Sequence, residues 1–598
     1  MRKLAFLFLS LFAFCTASAQ VTTSSMSGRV ADTDGQPIIG ATIVAVHTPT
    51  GTQYATASTR NGQFNLGGMR VGGPYDVEVS FIGCNTEKIE GIYLTIGEEA
   101  TLDFVLREDS QSIGEVVVVG KANPVFNANR TGAQEVVTLE MMEKLPTTSR
   151  SLDEFVKLTP MSSGKNFAGT SYRFNNVTVD GASFNNSFGL SSALGAQGTE
   201  PISLESIEQV QVMIAPYDVR NGGFTGGGIN SVTKSGTNEW HASAYMYTKS
   251  PELQGHRVRD YVGQVSEFSN RQYGVSLSGP IVKNKLFFFV NGELDRQDEP
   301  ISNRLADSRV LAADLDDLAK FLGDQFNYNP GGYDLSKTET RADRLTARID
   351  WNINDRNTFS LKYYYLKSYN TNAPSTSGAP ANGRGPNAYA MPFSSSYYRT
   401  NNDFNIVMAD WNSTINDHMS NTLKVGYSRL RDYRDMDGGF FPQVDILKDG
   451  SSYTVFGTEA NSYNNQLDTD IFQIQDNFTM NYGRHQITVG TQSDYRSFSN
   501  GFAQNYPGSW VFSSIDDFKF NVLAAKDYMA SHGNMTGFDI TKYKPSDFGL
   551  TGVVNGGLAN SAGTIQGQTP TPSGKTTGHS VALCHRAREK SRSVSGRM

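Results

Sequence analysis

From residue 237 onward the chain alternates apolar and polar residues over long runs. Leu345, Ala347, Ile349, Trp351 and Ile353 alternate with Thr346, Arg348, Asp350 and Asn352. Phe359, Leu361, Tyr363 and Tyr365 repeat the pattern, and Trp240, Ala242, Ala244 and Met246 begin it. Side chains of a strand point alternately to its two faces, so one face is apolar and the other polar. With apolar out and polar in, this is the pattern of a transmembrane β-barrel. The pattern predicts nine strands, at 237–249, 269–281, 284–297, 341–353, 357–369, 401–414, 419–433, 467–481 and 484–498. Each is long enough to cross an outer membrane at a tilt. The links at 281–285, 352–357, 415–420 and 482–485 are short, and those at 250–268, 298–340, 370–400 and 434–466 are long. Short periplasmic turns and long external loops sort in this way, whereas a soluble sandwich has no reason to sort them.

Composition agrees. Only 38% of the 598 residues are hydrophobic, but there are 27 Tyr, 35 Phe and 58 Gly. A barrel wall shows lipid only every second residue, so its average hydropathy stays low. The net charge of -7 and the lack of a basic, aromatic-interleaved patch in the main body argue against nucleic acid. Three cysteines, Cys15, Cys84 and Cys584, exclude a multi-bridge disulfide framework. Neither H-E-x-x-H nor G-x-S-x-G occurs, and acidic pairs such as Asp316 and Asp317 suit a solvated loop, so no enzyme, metal site or cofactor is expected.

The N-terminus carries Arg2 and Lys3, an apolar run at 4–14 and the small-residue site Ala17, Ser18, Ala19. This predicts a signal peptide over 1–19, cleaved after Ala19, and an exported chain. Residues 22–108 read as a small β-sandwich with strands at 26–31, 41–47, 52–59, 62–66, 75–82 and 100–106. Residues 109–129 form a linker with one odd element, Glu115, Val116, Val117, Val118, Val119 and Gly120. Four consecutive valines favour a strand, but the polar flanks give it no core. It is either an edge strand of a neighbouring sheet or a strand open to pairing with another chain.

Residues 130–236 read as an α+β domain. Helices are expected at 138–145 and 151–158, the second with Leu152, Phe155, Val156 and Thr159 on one face. Val177 and Val179 lie on a strand turned by Asp180 and Gly181. A further strand at 207–214 leads to a cluster with five glycines in seven residues, 222–228. Positive φ is expected at these glycines. A phosphate-binding loop needs Lys and Ser/Thr directly after its last glycine, and Gly228 is followed by Ile229 and Asn230. Residues 499–573 read as an external loop rich in Gly, Ser, Asn and Thr. Residues 574–598 are basic and lack alternation, and are read as a frameshift or truncation artefact.

Several of these segments together resemble the TonB-dependent outer-membrane receptors, in their Oar-like branch of the Bacteroidetes type. The end of that family's plug domain is matched by Ile207, Glu208, Val210, Val212, Pro216, Gly226, Gly227, Gly228, Ile229, Asn230, Thr233, Lys234 and Gly236. Its Val-x-Val-Asp-Gly pattern is matched by Val177, Val179, Asp180 and Gly181. Upstream, many plugs carry Arg-Gly where this chain has Tyr172, Arg173, Phe174 and Asn175. Residues 22–108 resemble the carboxypeptidase regulatory-like domain, through Gly28, Val30, Asp34, Gly35, Pro37, Gly40, Ala41, Gly62, Phe64, Tyr75 and Gly83.

The resemblance implies a mainly β chain: an N-terminal regulatory-like sandwich, a plug over 130–236, and over 237–498 the first nine strands of a barrel, making this a truncated form. It implies energised uptake of a ligand across the outer membrane. The element 115–120 would be the TonB-box region, engaged by strand addition. Implied partners are TonB with ExbB and ExbD, outer-membrane lipid, the barrel-assembly machinery and an external ligand of unknown identity. The N-terminal domains would be periplasmic. A surface adhesin without transport is the alternative, because long polar loops and a sandwich also suit adhesion.

Overall fold

The computed structural model describes residues 21–108, 116–119, 132–145, 150–164, 166–185, 199–216, 218, 220–263, 266–482 and 485–551. The expected signal peptide, Glu115, Gly120 and the basic tail lie outside the described residues.

The sandwich is made of two sheets. β1 (Ser24–Asp32) pairs with β4 (Gln63–Met69), β7 (Glu99–Thr101) and β8 (Phe104–Leu106). The facing sheet runs β3 (Thr52–Ala57), β2 (Thr42–His47), β5 (Gly72–Ser80), β6 (Glu87–Leu94) and β9 (Val116–Val119). Met26, Val30, Ile43, Ala45, Tyr75, Val77 and Val79, all fully buried, fill the space between the two sheets. Strand β6 has no counterpart in the sequence reading. Its Glu87, Lys88 and Glu90 are charged, and a register shift around Gly91 puts Ile89 out of phase with Ile92 and Leu94, so no alternation shows.

The plug sheet runs β10 (Gly132–Thr138), β13 (Ile207–Pro216), β14 (Gly228–Thr233), β11 (Asn176–Val179) and β12 (Ala182–Ser183). β11 and β14 are parallel, with Val177 opposite Ile229, and the other pairs are antiparallel. The helices α1 (Leu139–Lys144) and α2 (Leu152–Val156) cover it. Leu152, Phe155, Val156 and Thr159 are buried on the face that the spacing predicts.

Among the described residues, nine antiparallel strands then follow in strict sequence order. They are β15 (His241–Lys249), β16 (Ser269–Val282), β17 (Leu286–Pro300), β18 (Lys337–Asn354), β19 (Asn357–Asn372), β20 (Tyr398–Asn416), β21 (Met419–Asp435), β24 (Gln466–Tyr482) and β25 (His485–Gly501). Ile349 and Trp351 face outward, each 42% exposed, while Arg348 and Asp350, which alternate with them, are buried. The wall wraps around the plug. Phe184 packs edge-on against Tyr364 and Phe404, and Ala342, Leu366, Ile406, Met408 and Ile471 complete that core.

On the long-loop side the connections fold into a unit of their own. It contains α3 (Ala312–Phe326), a sheet of β23 (Ser451–Phe456), β22 (Gln443–Lys448) and β26 (Ser509–Phe512), and α4 (Ile515–His532). Residues 502–551 are therefore not simply loop. Ser514 caps α4 by accepting a hydrogen bond from the Asp517 N–H, and Gly533 ends it at φ 70°. Two clusters bury α4: Phe518 and Val522 enter the one formed by α3 and the sheet, and Phe520 and Ala524 enter another with Ile540. With both faces covered, no single apolar stripe marks the helix.

Candidate functional site: the junction of sandwich, plug and wall

The Val177–Gly181 motif ends in a tight turn, with Asp180 at φ 52° and Gly181 at φ 89°. Asp is one of the few residue types besides Gly that enters this left-handed region readily. The Asp180 side chain accepts from the Thr233 hydroxyl at 2.5 Å and from the Tyr364 hydroxyl of the wall. Lys362 Nζ lies at 3.5 Å and Arg348 Nη1 at 3.9 Å. Asp180 is fully buried. Burial opposes its charge, but Lys362, Arg348 and the two hydroxyls outweigh it and hold the carboxyl below its usual range.

Around Asp180 the wall supplies paired charges. Arg348 grips Asp350 through Nε and Nη2 at 2.8–3.0 Å, and Lys362 reaches Asp410 at 2.5 Å. Arg344 bridges Glu293 at 2.6 Å and Asp295 at 3.1 Å. Buried charges persist only when paired in this way.

The sandwich closes the junction from the short-turn side. Arg70 lies 3.5 Å from Asp350 and donates to Ser235 Oγ at 2.6 Å. Asn352 donates to Thr52 at 2.8 Å, and Asn230 to the Val21 carbonyl at 2.6 Å. Lys424 of the wall reaches Thr22. Gln209 donates to the Leu94 carbonyl (3.0 Å) and accepts from the Ile96 N–H (3.1 Å). Gln211 donates to the Ile96 carbonyl at 3.0 Å. Val71, Ile96 and Val232 add an apolar contact between sandwich and plug. A polar cavity of about 130 Å³ remains among Arg70, Asp180, Glu208, Arg348, Lys362 and Asp410. Nearby His47 is buried and shares a 2.7 Å hydrogen bond with Thr50. Burial, and then the charge of Arg70, push its pKa down to about 3.

The motif residues thus meet at one place only in part. Asp180, Gly181, Asn230 and Thr233 sit together at the wall, where Gln473 donates to the Gly181 carbonyl at 2.9 Å. Ile207 and Val179 are buried core, and Val177 packs at its edge. Glu208 faces the sandwich beside Gly72, Lys234 donates its N–H to the Ser206 carbonyl, and Pro216 ends β13. The expected positive φ is absent at Gly226, Gly227 and Gly228, and in 222–228 only Gly223 has it, at 79°. These three are glycine for space. A Cβ on Gly227 would lie 2.4 Å from the Phe167 ring, and one on Gly226 would lie 2.4 Å from Asn175 Oδ1.

The valine strand belongs to the sandwich. β9 joins β6 in parallel, with Glu87 opposite Val116, Lys88 opposite Val117, Ile89 opposite Val118 and Glu90 opposite Val119. It is the last strand of its sheet, so its other edge has no strand partner among the described residues. The sequence reading passed over Gln209 and Gln211. They were legible as glutamines alternating in a strand whose other face, Val210 and Val212, is apolar. Buried amides need partners, and here the sandwich backbone supplies them.

Two family models match the chain. The carboxypeptidase regulatory-like domain covers 25–107, and the outer membrane beta barrel domain covers 232–331 and 323–538. The chain belongs to the outer membrane beta barrel family. This barrel protein is 26% identical over 276 residues to the TonB-dependent transporter Oar of Myxococcus xanthus, covering 42% of this chain and 25% of that one. It is 31% identical over 175 residues to the TonB-dependent receptor SusC of Bacteroides thetaiotaomicron, covering 29% and 14%. It is 33% identical over 93 residues to the ferrienterobactin receptor of Escherichia coli, covering 15% and 11%. The barrel protein thus spans a quarter or less of the length of these relatives. They bear out the resemblance to TonB-dependent receptors and place the protein in the outer membrane. They are named as transporters and receptors, not as enzymes.

Proposed function

We propose that the chain acts as a TonB-dependent outer-membrane receptor that takes up a ligand through its barrel, energised through TonB. What carries the reading is the order of parts. A short valine strand with one free edge precedes a plug, and the plug is pinned inside a nine-stranded wall. An edge strand can accept another chain by backbone pairing. TonB pairs with residues 115–120, and the pull remodels the plug at the Asp180 junction. Buried charges fit this role, because a network of paired groups has discrete arrangements rather than a continuous range. ExbB and ExbD supply the energy to TonB in this scheme. The ligand enters from the long-loop side. The wall's first and last strands, β15 and β25, each have one edge unbonded among the described residues. Such edges are costly to leave unbonded in lipid.

Site-directed crosslinking between the valine segment and the periplasmic domain of TonB tests this function. Val117→Pro removes a backbone donor and should abolish the crosslink. An undiminished crosslink in that variant overturns the reading.

A further inference from the structure

The sandwich does not hang free below the plug. Its loops meet the ends of three successive strand pairs of the wall. Gly51 packs against Asn284 between β16 and β17, and Thr52 accepts from Asn352 near the end of β18. A Cβ added to Gly67 would lie 3.2 Å from Ser420 Oγ at the start of β21. The Asn238 N–H, just before β15, donates to the Pro49 carbonyl at 2.8 Å. Seated in this way, the sandwich covers the plug from the short-turn side.

Three parts of the protein share the charges beneath it. Among the described residues the junction brings together four cations, Arg70, Arg348, Lys362 and Lys424, and four carboxylates, Asp180, Glu208, Asp350 and Asp410. Lys424 belongs here because its Nζ lies beside Gly181 and reaches Thr22. The wall alone holds three of the cations and two of the carboxylates. The sandwich adds only a cation, Arg70. The plug adds only carboxylates, Asp180 and Glu208. With plug and sandwich both in place the charges cancel. Without the plug, Arg70 would enter a seat where cations already outnumber carboxylates. Burial makes that imbalance unfavourable, because little solvent screens it.

We propose that the plug locks the sandwich over the barrel's mouth: Asp180 and Glu208 neutralise the seat of Arg70, and their departure with a remodelled plug releases the sandwich. The two obstructions on the ligand's path then open in order, plug first and sandwich second. This rests on the remodelling of the plug in the proposed function.

The test uses the full chain, purified in detergent, with Cys84→Ser and Cys584→Ser and carrying Gly67→Cys and Ser420→Cys. Their close approach puts these two positions within the span of a disulfide. The rate at which a mild oxidant traps that disulfide reports how much of the time the sandwich is seated. The lock predicts ready trapping in this chain, slowed about fivefold or more once Asp180→Asn and Glu208→Gln are added. Glu205→Gln removes a plug carboxylate that pairs with Arg150 at 2.6 Å, beside Tyr247 of β15, and should leave the rate unchanged. Arg70→Gln should slow trapping by itself and add little to the double variant, because the lost carboxylates are those that seat Arg70. If the double variant fails to fold, Asp180→Asn alone enters the same cycle, with a slowing of about twofold expected. No trapping in the parent chain overturns the inference, since the sandwich is then not seated. Unchanged trapping in the double variant, equal slowing by Glu205→Gln, or independent slowing by Arg70→Gln each overturns it as well. TonB takes no part in these measurements, so their failure leaves the proposed function to stand or fall on its own crosslink.

Discussion

Arg70 of the sandwich and Asp350 of the barrel wall face each other at 3.5 Å across the junction, and Asp350 is also held by Arg348. The carboxylate therefore serves two units of the protein at once. Removing one partner from a buried pair is costly because it leaves an unpaired charge, but here Arg348 remains.

Arg70→Ala is accordingly expected to loosen the sandwich without unfolding the wall. The expected cost is about 1–2 kcal/mol, below that of a fully orphaned buried charge. Limited proteolysis of the intact chain should cut the sandwich faster while the wall stays resistant. Equal cutting rates would show that Arg70 holds nothing.

Gly227 offers a sharper contrast. Its Cβ would strike the Phe167 ring, and its φ is not positive. Gly227→Ala should destabilise the plug by about 1–3 kcal/mol, the usual cost of overpacking. Adding Phe167→Leu should recover part of that loss in a double-mutant cycle of thermal unfolding. Additive effects would mean that the glycine is kept for its backbone after all.

His47 makes the sandwich acid-sensitive. Its folded pKa of about 3 lies below the ordinary value of 6.5. Below about pH 6.5 the unfolded state binds a proton that the folded state refuses. The stabilising contribution is thus present above that pH and is lost as pH falls toward 3. Hydrogen exchange of sandwich peptides should speed up between about pH 6.5 and 4 beyond the chemical trend, and His47→Gln should flatten the difference.

Gln209→Leu keeps the size of the side chain but leaves the Leu94 carbonyl and the Ile96 N–H without their plug partner. A loss of about 1–3 kcal/mol is expected from two unsatisfied buried backbone groups. Thermal unfolding should register it, and Glu208→Gln next to it should cost less, because Glu208 borders a polar cavity.

How far the sequence led depended on how many faces of each element are buried. The wall strands show lipid on one side and charges on the other, so Ile349 and Trp351 against Arg348 and Asp350 spell out their own geometry. All nine strands stand where the alternation puts them, most of them a few residues longer. β6 escaped because it is short, charged and broken by Gly91. α4 escaped because Phe518 and Phe520 point into different clusters, so no 3.6-residue stripe survives. At the junction, Asp180, Asn230 and Thr233 were visible through the family pattern. Their partners Tyr364, Lys362 and Arg348 come from wall strands whose inward face reads only as polar, and no local rule connects residue 180 to residue 364.

The sandwich's hold on the wall joins residues far apart in the chain: Thr52 with Asn352, separated by 300 positions, and Thr22 with Lys424, separated by 402. Contacts of this span form late, because every strand between must first be in place. The sandwich has its own core and its own short-range pairings, so it is complete while the wall is still being assembled. Its rim then acts as a template: Arg70, Thr52 and Thr22 wait at fixed spacing for β18 and β21 to arrive. A strand that enters one residue out of register would turn Asp350 or Asn352 to the lipid side, and no bond to the sandwich would form. The bonds at the barrel's rim thereby favour the correct register of those two strands.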